Sequence, residues 1–167
     1  MLLSGRPLLS PSGRVMLWYG DPWGPEGSRQ VLDWYSPSHL IHGLLFCAAL
    51  ALLAPRLALG WRFLLATLLE CAWELPENSP AVIERHRAAT VSRDYGGDSV
   101  LSSVADVLCM TAGFWLARRL PVRASVALVL ASEALTLWLI RDGLALNVPM
   151  LLWPLGAVRG WQAGATP

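Results

Sequence analysis

Five apolar runs, separated by short polar connections, fill the chain after residue 38. The first covers 39–54 and stops at Pro55-Arg56, and the second covers 57–75 and stops at Pro76. The third covers 99–117 and ends before Arg118-Arg119. The fourth covers 124–140 and ends before Arg141-Asp142. The fifth, 144–158, is interrupted by Pro149 and Pro154. A helix needs about 20 apolar residues, roughly 17–25, to cross a bilayer. Runs two to four meet that length, and run one does if it starts in the cap Ser36-Pro37-Ser38. The fifth reads as a kinked span or a re-entrant hairpin. The pattern predicts an all-α membrane protein, a bundle of four or five transmembrane helices over 39–158. An aromatic, Pro/Gly-rich interfacial segment precedes it (1–38), a polar loop interrupts it (77–98), and a tail follows (159–167).

Within the loop, Ser79-Pro80 followed by AVIERHRAA predicts a short interfacial helix with Ser79 as N-cap and Pro80 at its first position. Gly96-Gly97 predicts a turn immediately before Asp98. Trp18, Tyr19, Trp23, Trp34 and Tyr35 crowd the first segment. They suit either a membrane interface or a small aromatic cluster that holds the segment together.

Composition agrees with the pattern. Hydrophobic residues make up 54% of the 167 and charged residues only 15%, against about 25% charged in soluble domains. A disordered chain and an ordinary soluble domain are thereby excluded. Net charge is +1, with 13 basic residues, all Arg, and no basic face of the kind that binds nucleic acid. Cys47, Cys71 and Cys109 lie singly in apolar runs, without metal-ligand spacing, and read as small apolar packing residues. Leu2 and Leu3 are cut short by Gly5, Arg6 and Pro7, so no signal peptide is visible. No GxSxG elbow and no glycine-rich phosphate loop occurs.

The arginines set a direction. Arg56 and Arg62 lie around the first connection, and Arg118, Arg119 and Arg123 around the third, without an acid among them. With Arg159 in the tail, these mark the cytoplasmic side if five segments cross. The N-terminal segment and the 77–98 loop are then periplasmic and the C-terminus cytoplasmic, in a bacterial inner membrane. An external N-terminus without a signal suggests a preceding helix.

Four acids interrupt the apolar runs: Glu70, Glu74, Asp106 and Glu133. Each charge near a bilayer centre costs about 2.5–3.5 kcal/mol on insertion scales, so these groups are protonated, paired, cation-bound or wet. Glu70, Glu74, Glu77 and Asn78 share one helix face, as do Asp98, Ser102 and Asp106. His39 and His42 share a face at the start of run one. Given the orientation, these residues converge on a polar funnel open to the periplasm, lidded by 77–98. Glu74 and Asp98 are candidate catalytic groups. Glu70, Glu77, Asn78, Ser102 and Asp106, with Arg85, Arg87 and Arg93 as a phosphate clamp, are candidate ligand contacts. His39, His42, Glu74 and Asp98 are candidate ligands of a divalent metal. Against this stand plainer readings: the histidines as capping or interhelical groups, the glutamates as buried ion pairs, Asp98 as the N-cap of run three, and Glu133 as partner of Arg141 or of another helix.

DWYSPSHLIHG (33–43), the stretch 70–99 and LTLWLIRDGLALNVPMLLWP (135–154) resemble an uncharacterised family of small bacterial inner-membrane proteins, through HxxHG, WExxEN, ERxRxAT and DYxGDS motifs. The resemblance covers about residues 4–164. It implies a multi-pass membrane location, and an N-terminal apolar helix in family members that this chain lacks. Two departures are Ser102, where Asn is frequent, and Leu9-Ser10-Pro11-Ser12, where cysteines occur. A looser similarity joins the chain to VanZ-like membrane proteins. Three functions remain open: an enzyme acting on a lipid or polyprenyl-phosphate head group, a transport, proton-relay or cation-binding protein using Glu70, Asp106 and Glu133, and an accessory or assembly subunit of a membrane complex.

Overall fold

The structure is a computed structural model that describes residues 5–89 and 95–164. Among these residues it holds seven helices and no strand. Helix α1 runs Ser36–Leu53, α2 Leu59–Glu77, α3 Pro80–Ala89, α4 Val100–Arg119, α5 Val122–Ile140, α6 Leu144–Leu152 and α7 Gly156–Ala163. Helices α1, α4 and α5 are long and apolar enough to cross a membrane. Helix α2 matches them at 19 residues, about 28 Å, but carries Arg62, Glu70, Glu74 and Glu77. Its polar side is turned inward, with Glu70 and Glu74 buried.

Local chemistry sets the boundaries. Pro37 sits in the first turn of α1, where its missing N–H costs nothing. The Asp33 carboxylate accepts the amides of Tyr35 and Ser36, and the Ser36 hydroxyl accepts that of Asp33. Ser79 caps α3 as expected, its hydroxyl accepting the Val82 amide at 3.3 Å. At α4 the cap is Ser99, which accepts the Ser102 amide, and not Asp98.

The most extensive helix pair is α1 with α4. They cross through two glycines: a Cβ on Gly43 would strike the Met110 carbonyl, and one on Gly113 the Leu40 carbonyl. Small residues at such a crossing let backbones approach closely, the usual device where lipid supplies no hydrophobic drive. Towards one end of this pair Cys47, Ala66, Met110 and Phe114 form a buried cluster, and Phe63 meets Phe114 and Trp115.

The fifth run does not cross as a single helix. Helices α6 and α7 have nine and eight residues, about 14 and 12 Å, and the chain breaks between them at Pro154. Gln162 donates to the Arg141 carbonyl, and Arg141 donates to the Trp161 carbonyl. The chain thus returns to the end of α5 that it left. This corrects the five-span arrangement with its tail on the opposite side: described residues up to 164 stay at the end where α5 finishes. The turn is made at Arg141, whose φ is 52°. Glu133 does not pair with Arg141. Its two carboxylate oxygens accept the amides of Leu144 and Ala145, capping α6, where a negative charge is favoured.

Residues 5–35 form a non-helical cap on that same end. Arg6 donates to the carbonyls of Gly96 and Asp98, and the amides of Val100 and Leu101 donate to Pro7 and Leu8. Ser99 bonds Ser28 and Arg29. Trp18 and Trp34 meet edge to face at 5.2 Å, which supports the cluster reading of the aromatics. This cap, α3, α6 and α7 sit at what we call the site end. The opposite end carries the α1–α2 and α4–α5 connections.

Candidate functional site

Each helix contributes to the site about two turns in from its end, so the polar groups meet below the cap. His39 and His42, one turn apart on α1, face Glu70 of α2. His39 Nδ1 lies 2.6 Å from Glu70 Oε1, and His42 Nδ1 lies 3.0 Å from Oε2. The other side of the His39 ring faces α4, with Nε2 3.6 Å from Asp106 Oδ1. Glu74, one turn beyond Glu70, approaches His39 Nδ1 at 3.8 Å.

Glu70 is fully buried and Glu74 is 3% exposed. Both carboxylate oxygens of Glu74, and Oε2 of Glu77, are buried without a hydrogen-bond partner among the described residues. An ionised carboxylate left so costs several kcal/mol. Two groups bring metal-ligating atoms within 4.8 Å of one another: His39, His42 and Glu70, and His39, Glu74 and Asp106. Two imidazoles with carboxylates form an N/O donor set suited to first-row transition metals such as Zn, Fe or Ni more than to Mg or Ca.

Asp98 falls outside both groups. Asn78 Nδ2 donates to its Oδ2 and its own amide donates to Asn78 Oδ1, each at 2.6 Å. This reciprocal pair locks the end of α2 to the start of α4, with Arg6 on the Asp98 carbonyl. Burial pushes the Asp98 carboxyl above its ordinary range, against the pull of Asn78. Asp98 still lines the cavity, but the close donor groups contain Asp106 instead, which the sequence places among the ligand contacts. Ser102 is buried beside it on the cavity wall.

Two of the three arginines of the expected phosphate clamp bond elsewhere. Arg85 donates to the Leu151 and Leu152 carbonyls at the end of α6, and Arg87 to the Tyr95 carbonyl. Neither lines the cavity. Arg93 lies outside the described residues, as does Asp94. Glu133 is committed to α6 and does not join Glu70 and Asp106.

The cavity itself is small, about 60 Å³, and is lined by His39, His42, Glu77, Asp98, Ser102 and Asp106 with Trp23, Trp73, Tyr95 and Asn147. At roughly 10–15 Å³ per water-sized occupant, it admits a hydrated cation or a few waters. His86 of α3 packs its ring 4.5 Å from Tyr95, and burial pushes its imidazole down to about 4. Asp142 accepts from Tyr35 and from the Gly143 amide; burial raises it to about 6. Sequence reasoning passed over Tyr95, Arg6 and Asp33. Tyr95 stands inside the DYxGDS stretch, which was a usable signal. Arg6 and Asp33 reach their partners through tertiary contacts with no local pattern.

Fold and site together define a small all-helical chain with three membrane-length apolar helices and a buried His/carboxylate cluster at one end. The family described as "Protein of unknown function (DUF2585)" matches residues 1–164, and the chain belongs to it. It is 63% identical over 163 residues to a UPF0314 protein of Paracoccus denitrificans, covering 98% of this chain and 84% of that one. It is 52% identical to a UPF0314 protein of Sinorhizobium fredii, covering 97% and 82%. A third, from Novosphingobium aromaticivorans, is 50% identical, covering 98% and 85%. No solved structure matches the chain. Neither the family match nor these relatives bear on the looser likeness to VanZ-like proteins.

Proposed function

We propose that this is a multi-pass inner-membrane protein that binds one divalent transition-metal ion at the periplasmic side, through His39, His42 and Glu70. Glu74, beside His39 Nδ1, and Asp106, beside Nε2 on the far side of the ring, complete the anionic surroundings. The observation that carries this reading is Glu74. Its buried carboxylate has no hydrogen-bond partner on either oxygen among the described residues, beside an imidazole whose other nitrogen faces a second carboxylate. A bound cation would supply the missing counter-charge, and among the described residues no arginine lines the cavity to do so.

The orientation follows from the opposite end. Residues 44–69 and 107–132 hold Arg56, Arg62, Arg118, Arg119 and Arg123 and no acid, as cytoplasmic connections do. With four crossings by α1, α2, α4 and α5, both described chain ends lie on the periplasmic side with the site. Metal analysis of the purified full chain tests the binding. One transition-metal ion per chain is expected, retained in Arg87→Gln and lost in His42→Ala and Glu70→Gln. Metal-free protein that remains folded, or metal unaffected by either site substitution, would remove the reading.

One observation favours a second reading, a proton relay. The two ring nitrogens of His39 face carboxylates on different helices, Glu70 on α2 and Asp106 on α4. In proteoliposomes a relay gives pH-gradient dissipation that Asp106→Asn abolishes. A metal site gives none.

A further inference from the structure

The end opposite the site has its own concave feature, formed where α5 stands away from the bundle. Only 11% of the apolar window of α5 is buried. Between α5 and the pair α1 and α4 lies an apolar groove of about 320 Å³, walled by Ala48, Ala51, Ala117, Val122 and Val126. Its mouth carries Arg118, next to Arg119 and close in sequence to Arg123. Several arginines elsewhere are held: Arg6, Arg85, Arg87 and Arg141 donate to backbone carbonyls. Arg118, Arg119 and Arg123 donate to no described residue, and no acid occurs from 107 to 132. An acyl-chain-sized apolar slot therefore opens beside guanidinium groups that have no described partner, at the level where those groups reach phosphates.

We propose that this groove is a binding site for an anionic phospholipid, with one acyl chain between α1, α4 and α5 and the head-group phosphate on Arg118 and Arg123. Alanines and valines alternate with Leu44, Leu45 and Leu130 along the walls, so apart from Ser125 and Arg118 the slot is lined by apolar side chains. The charge at the mouth matches a phosphodiester that carries no compensating amine. The inference rests on the membrane reading and is independent of the metal site.

The test is native mass spectrometry of the full chain, reconstituted in bilayers of phosphatidylcholine alone or with phosphatidylglycerol and then released into mild detergent. Phosphatidylglycerol is expected to stay bound in preference to phosphatidylcholine. Arg118→Gln and Arg123→Gln should each lower the retained amount about fivefold, the effect of one basic group at an anionic surface. Ala48→Phe, which fills the groove at an exposed position and leaves the charges in place, should displace the lipid. Arg118→Lys should keep most of it. Equal retention of both lipids, or retention unchanged by Ala48→Phe, overturns the proposal. So does a dimer that Ala48→Phe dissociates, which would give the groove to a second copy. Failure of the chain to enter either bilayer would overturn the membrane reading instead, so the two failures are distinguishable.

Discussion

The two ends of this molecule use the same few residue types in opposite ways. At the site end, several arginines and acids are bonded into the fold: Arg6 to the 96–98 turn, Arg85 to α6, Glu133 to the α6 amides, Asp98 to Asn78. At the arginine end, four guanidinium groups, those of Arg56, Arg118, Arg119 and Arg123, have no described partner, and the acids are absent from the flanking 44–69 and 107–132. Buried charge fixes geometry where it is satisfied, because an unpaired partner is costly in low dielectric. Exposed charge of one sign sets direction in a bilayer and leaves the fold almost indifferent to any single residue. The clearest departure within the site end is Glu74, which is buried as deeply as its neighbours but has no hydrogen bond on either oxygen among the described residues. That contrast is what singles out the cluster as a site.

Substitutions should reproduce the contrast. The largest loss is expected for Glu70→Ala, which strands two imidazoles in the interior. A penalty of about 3–5 kcal/mol should appear in thermal unfolding in detergent, and a loss under about 1 kcal/mol would mean that the cluster contributes little to the fold. Next stands the glycine crossing. Gly113→Val forces a side chain against the Leu40 carbonyl and should cost about 1–3 kcal/mol, with α1 and α4 pushed apart. The same change at Gly60, where an added Cβ meets nothing, should cost far less.

Acidity gives a comparison within the site end. The folded state holds His86 neutral with its pKa lowered to about 4. Its contribution is therefore present above its ordinary value of 6.5 and is lost as pH falls from there towards 4, about 3 kcal/mol in all. Asp142, raised to about 6, runs the other way: its contribution is present below its ordinary 3.8 and is lost as pH rises to about 6. The difference in stability between wild type and His86→Phe should thus shift in favour of the variant across pH 6.5 to 4. A difference flat with pH would contradict the buried, neutral imidazole. Smaller still is Glu133→Gln, which weakens the cap on α6 by about 1 kcal/mol. At the arginine end Arg56→Gln should fall within about 0.5 kcal/mol of wild type.

Much of this was legible in the chain, and the illegible part has a common cause. Apolar run length and the Pro55, Pro76 and Pro154 breaks give four of the long elements, and Ser79-Pro80 gives α3. Helical spacing alone puts Glu70 with Glu74, and His39 with His42, on common faces. Pairings that depend on distance in three dimensions were not available. Arginines near acids suggest phosphate or ion pairs, whereas Arg85 and Arg87 reach backbone carbonyls, an acceptor that every residue offers and no pattern marks. Asp98 after two glycines looks like an N-cap, yet Ser99, one residue later, makes the shorter reach to the Ser102 amide. The fate of the fifth run was settled by Arg141 and Gln162 holding its two ends together, a contact no periodicity encodes.

The central claim is that His39, His42 and Glu70 hold a metal ion. The most direct test is the unfolding temperature of metal-stripped protein titrated with zinc, manganese and cobalt, for wild type and for His42→Ala. Binding only to the folded state stabilises it, by about 2.7 kcal/mol at a hundredfold excess over Kd. The account predicts that at least one of these ions raises the unfolding temperature of the wild type to saturation and leaves His42→Ala unmoved. No shift in the wild type, or an equal shift in both proteins, would contradict it.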